Sequence, residues 1–95
     1  MLVLVEAFFY TDDYWNRVET GIISEEDEVD YAKDCELRNI LVNLNSISSA
    51  KPIEKSKLTC IETQTTSYVV NIPFKDFLQL VPHQIAKHLT KKWAN

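Results

Sequence analysis

Leu2-Val3-Leu4-Val5-Glu6-Ala7-Phe8-Phe9-Tyr10 is the stretch whose reading decides the fold. It is β-branched and aromatic, short, and broken only by Glu6, which is the pattern of a strand. Both alternating sets of side chains are mostly apolar. The strand is therefore expected at the centre of a sheet, covered on both faces. Thr11-Asp12-Asp13 follows as a turn signal.

Tyr14 to Ile23 reads as a second strand, with Gly21, the single glycine of the chain, free to take a positive φ at little cost. Ser24-Glu25-Glu26-Asp27 carries a capping serine and an acid three residues on, so it reads as a helix start. That helix is expected to continue to about Arg38. It would place Val29, Tyr31, Ala32 and Cys35 on one side and Glu26, Asp27, Asp30 and Asp34 on the other.

Ile40 to Asn45 reads as a strand that frays through Ser46–Ala50 into a turn at Lys51-Pro52. Leu58–Thr63 and Tyr68–Ile72 form a hairpin around Gln64-Thr65-Thr66-Ser67, a loop without glycine. Pro73 opens a last helix, in which Phe74, Phe77, Leu78, Val81, Ile85, Leu89 and Trp93 follow helical spacing, with a kink expected at Pro82. The order predicts one globular α+β domain over residues 1–95: an antiparallel sheet of three to five strands with two helices packed on one face. Phe74, Phe77, Val81, Ile85 and Leu89 are expected to pack against Leu4, Phe8, Val42, Leu44, Ile61 and Val70.

The chain has 95 residues, 45% of them apolar and 25% charged, an ordinary composition for one small domain. One glycine excludes the phosphate-cradling and dinucleotide fingerprints. Cys35 and Cys60 are not spaced as a metal knuckle. His83 and His88, five apart on a helix, would point about 140° from each other, so no metal or cofactor is expected. Cys35 stands between Asp34 and Glu36, whose charges disfavour a thiolate. Ser46, Ser48 and Ser49 lack the context of a nucleophile elbow. The reading is non-enzymatic. Glu6, with no basic residue ahead of it, predicts no secretory signal, and two unpaired cysteines suit a reducing compartment, so the expected location is the cytoplasm.

Charge is the one dense feature. Residues 1–36 carry a net −9 and residues 37–95 a net +5, for a total of −4. Glu26, Asp30 and Asp34, spaced by four, would line one helical face and meet a basic protein partner, or simply stay solvated. Tyr14 and Trp15, beside Asp12-Asp13, are candidate aromatic anchors for the same partner. The strand Ile40–Asn45 has no lysine or proline to blunt an edge, which predicts a homodimer. Two alternatives compete: a nucleic-acid-associated regulator using Lys51, Lys55, Lys57, Lys75, Lys87, Lys91 and Lys92, and an inhibitor whose acidic helix imitates DNA.

Overall fold

The computed structural model describes residues 2–81 of the chain. Five strands form one antiparallel sheet: β1 (Leu2–Tyr10), β2 (Cys35–Asn43), β3 (Ile47–Ile53), β4 (Leu58–Thr63) and β5 (Ser67–Val70), in the spatial order β2-β1-β5-β4-β3. Among the described residues three α-helices accompany them: α1 (Asp12–Glu19), α2 (Tyr31–Asp34) and α3 (Phe74–Leu80). The α+β class with an antiparallel sheet is as the element order predicts.

The strand β1 is flanked by β2 and β5, as its composition requires. Its pairing with β2 runs the full length of both strands, from Leu2 opposite Asn43 to Tyr10 opposite Cys35. The odd-numbered side chains of β1 turn to the core. Val5 and Ala7 are buried there with Val42, Leu44, Ile47, Ala50, Ile61 and Val70, and Phe77 and Val81 close over them. The even-numbered face is not covered along its length. Leu2 is 65% exposed and Leu4 62%, which corrects both the expectation of two covered faces and the placing of Leu4 in the core. Phe8 is half-buried against Tyr31 on that second face instead.

Tyr14–Ile23 is not a strand. Thr11 caps α1 by accepting from the Tyr14 N–H, Asp12 and Asp13 stand at its positive end, and Arg17 follows Asp13 by one turn. Capping chemistry outweighs the aromatic and β-branched content. The helix stops at Gly21 (φ +78°), where Gly21 N–H donates to Val18 C=O and Ile22 N–H to Arg17 C=O. That is a Schellman stop, and it uses the glycine for its positive φ.

The helix expected from Ser24 to Arg38 is also corrected. Ser24 and Asp27 do make capping-type bonds, Asp27 Oδ2 accepting from Ser24 N–H and Ser24 Oγ accepting from Glu26 N–H. They close a single turn that does not continue as a helix. Asp30 then caps the short α2, accepting from Ala32 and Lys33 N–H, and from Cys35 the chain is extended. Ser46–Ala50 is no frayed end: a 3₁₀ turn at Leu44–Ser46 carries the chain from β2 at one end of the strand order to β3 at the other, and β3 contains Lys51 and Pro52. The turn lies further on, where Glu54, Lys55 and Ser56 all take positive φ. Pro73 precedes α3 as expected; Pro82, Ile85, Leu89 and Trp93 lie outside the described residues. No helix among the described residues is long and apolar enough to cross a membrane.

Candidate interaction surface

The acidic residues singled out in the sequence do not form a row. Glu26 is exposed on the Ser24–Asp27 turn, Asp30 is exposed as the cap of α2, and Asp34 is buried. Asp34 is a structural joint. Its Oδ1 accepts from Arg17 Nη2 at 2.6 Å, its Oδ2 from Asp30 N–H at 3.1 Å, and its carbonyl from Thr11 N–H at 3.0 Å. The guanidinium holds the Asp34 carboxyl below the usual range, and the carboxylate in turn raises Arg17. Arg17 Nε also lies 3.1 Å from Asp13 Oδ2, at an angle that makes no hydrogen bond. A side chain so engaged is withdrawn from any partner.

The aromatic pair divides in the same way. Tyr14 is buried, stacked on Tyr10 with ring centroids 4.2 Å apart, while Trp15 stands edge-on to both and is 41% exposed. Burial pushes the Tyr10 phenol up, helped by Tyr14. Only Trp15 of the two can offer a large apolar surface outward.

Both thiols are held in their neutral form. Burial raises Cys35 first, with Asp34 and Asp30 adding to it; burial raises Cys60, against the pull of Lys51. The sequence reading named Asp34 correctly, but the second acid is Asp30, because Glu36 faces away with Arg38. Among the described residues no three His, Cys, Asp or Glu side chains gather at metal-binding range.

The most distinctive surface is the β2 side of the sheet. Antiparallel neighbours share a face, so Leu4 and Leu41 stand opposite each other on the even-numbered face of β1, with Leu2 beside them and Leu37 further along opposite Phe8. Leu41 is 67% exposed and Leu37 44%. The backbone of this edge can be assigned as well. Glu6 C=O accepts from Asn71 N–H on the β5 side of β1. Peptide groups alternate along a strand, so Val3, Val5, Ala7 and Phe9 direct theirs to β2, where Val42, Ile40, Arg38 and Glu36 meet them. Cys35, Leu37, Asn39, Leu41 and Asn43 therefore present N–H and C=O groups outward, with no strand beyond them among the described residues.

The opposite edge differs. β3 carries Lys51 and Pro52, and its register with β4 shifts between Ile47 and Ser49. Lysine, proline and a bulge are among the devices that blunt an edge. β2 has no lysine, proline or bulge, and its two charges, Glu36 and Arg38, are bonded to each other. In the sequence, Ile40–Asn45 marks part of this strand, Leu41 included, while Leu4 reads as core and Leu2 and Leu37 carry no surface signal of their own; the alternation Leu37-x-Asn39-x-Leu41-x-Asn43 is what points to this face. Comparison with protein-family models, curated proteins and solved structures gave no match for this chain.

Proposed function

We propose that this protein is a non-enzymatic interaction module of the cytoplasm, which binds another protein along the open edge β2 and the leucines beside it. One observation carries the reading: of the two sheet edges among the described residues, one is blunted by Lys51 and Pro52 and the other is nine residues long, without lysine or proline, and flanked by exposed Leu4, Leu37 and Leu41. An edge of that kind takes up an extended strand, main-chain bonds supplying affinity and the alternate side chains selectivity. The exposed acids Glu25, Glu26, Asp27 and Glu28, which lie outside β2, add a negative surface that favours a further partner with a basic surface and speeds that encounter. The acidic contribution comes from this turn and not from a helical row through Asp34. Both thiols being pushed up supports a non-catalytic reading.

The test is affinity capture from the native host with wild type and with the Leu37→Lys/Leu41→Lys variant as baits. Proteins retained by wild type and lost by the variant support the reading. An identical set on both baits overturns it.

A second reading, association with nucleic acid, draws on Lys55 and Lys57, both exposed at the β3–β4 turn near Lys51. Lys87, Lys91 and Lys92 lie outside the described residues. A salt titration of duplex DNA binding separates the two, because phosphate contacts weaken steeply with salt.

A further inference from the structure

The geometry points to a second copy of this chain as the occupant of the β2 edge, joined antiparallel through a two-fold axis at Asn39 so that two five-stranded sheets become one of ten strands. This rests on the edge-binding reading above and names its partner.

Self-complementarity is the first ground. The outward-facing residues of β2 read Cys35, Leu37, Asn39, Leu41, Asn43, with leucines placed symmetrically about Asn39. An antiparallel copy centred there sets Leu37 against the other copy's Leu41 twice, and Asn39 against itself. All nine residues of each strand are then used, and the outward N–H and C=O groups of all five positions find partners. The leucines of both copies fall on the same face, so Leu2, Leu4, Leu37 and Leu41 become one apolar strip spanning the axis. A contiguous apolar patch of several hundred Å² is what marks an interface on a soluble domain.

Charge is the second ground. The chain as a whole carries −4, so two copies repel over most approaches. β2 holds one acid and one base, Glu36 and Arg38, bonded to each other. It is a neutral strip through which like molecules can meet. In the Asn39-centred register Glu36 faces Val42 and Arg38 faces Ile40 of the other copy. Moving the axis one residue towards the N-terminus would set Arg38 against Arg38, which like-charge repulsion opposes. Displacing one strand by a single residue without a residue-centred axis would put the leucines of the two copies on opposite faces.

The experiment is cysteine cross-linking of the full chain in a Cys35→Ser/Cys60→Ser background, with oxidised glutathione, beside light scattering over a hundredfold dilution. Directly opposed Cα atoms in a hydrogen-bonded pair lie about 5.5 Å apart, inside the roughly 4.4–6.8 Å that a disulfide spans. Asn39→Cys should cross-link to itself, and Leu37→Cys should cross-link to Leu41→Cys when the two variants are mixed. Leu37→Cys alone should give at least tenfold less, because its two copies would stand about 14 Å apart along the strand. Scattering should give twice 11.0 kDa at micromolar concentration, and Leu41→Lys, folded by circular dichroism, should weaken dimerisation at least tenfold. A monomer at every concentration overturns the proposal, while the capture experiment still decides whether the edge binds a different protein. A dimer that cross-links through Leu37→Cys alone and not through Asn39→Cys overturns the register and with it the proposal.

Discussion

Arg17 and Asp34 meet at 2.6 Å across seventeen positions of sequence and tie the end of α1 to the end of α2. The same aspartate holds the N–H of Thr11 on its carbonyl and the N–H of Asp30 on its second carboxylate oxygen. One residue thus organises the corner where β1 gives way to α1 and α2 to β2.

Removing Asp34 should leave Arg17 without its closest partner and release the Asp30 N–H, so Asp34→Ala lowers the melting temperature more than Asp13→Ala, whose carboxylate is exposed. The folded carboxyl titrates below the usual aspartate value of about 3.9. Its contribution is therefore complete above that value and is lost as pH falls through the lower folded one. An acid titration of melting temperature should be steeper below about pH 4 for wild type than for Asp34→Asn.

Charge reversal separates the three acids of the sequence reading. Glu26→Lys should change stability by less than about 0.5 kcal/mol, as exposed substitutions do. Asp30→Ala should cost about 1 kcal/mol through loss of the α2 cap. The triple variant Glu26→Lys/Asp30→Lys/Asp34→Lys should unfold, because it places a lysine against Arg17. Denaturant melts of the three variants check the order.

Phe77 is 2% exposed over the sheet, so Phe77→Ala should cost about 3–5 kcal/mol, a large share of a small domain's stability. Leu4→Ala should cost less than about 1 kcal/mol in the monomer, since most of that side chain is in solvent. Urea unfolding at a concentration where the chain is monomeric compares the two directly. Equal losses would place Leu4 in a core that the described residues do not form.

Gly21→Ala should cost about 1 kcal/mol. A Cβ there meets no atom within 4 Å, so the loss comes from the φ of +78° and not from crowding. Gly21→Asn should recover part of it, because asparagine tolerates the left-handed region better. Thermal melts of the pair test the assignment of the Schellman stop.

Cys35 and Cys60 should react with a disulfide reagent more slowly than free cysteine at pH 7, since burial keeps both protonated. Their rates should continue to climb above the ordinary thiol range near pH 8.5. Mass-resolved labelling over a pH series gives the two curves.

The sequence by itself determined the elements whose evidence is complete within a few neighbouring residues. β1 and β4 could be read because β-branched content, joined by aromatics in β1, left no competing periodicity, and α3 because Pro73 supplies its start and Phe74 and Phe77 its inward face. Tertiary structure decided the elements whose local signals conflict. Cys35–Asn39 fits helical spacing as well as a strand, and the neighbouring nine-residue β1 settles it: a helix there would leave the β2-directed peptide groups of Ala7 and Phe9 without partners, whereas an extended segment pairs them with Arg38 and Glu36. Tyr14–Ile23 goes the other way, because Thr11 and Gly21 can satisfy both ends of a helix in place. The candidate surface was half legible for the same reason. An unblunted strand can be recognised from its residues, but which of two apolar alternations is left in solvent depends on where α3 packs, and that is a contact between segments far apart in the chain.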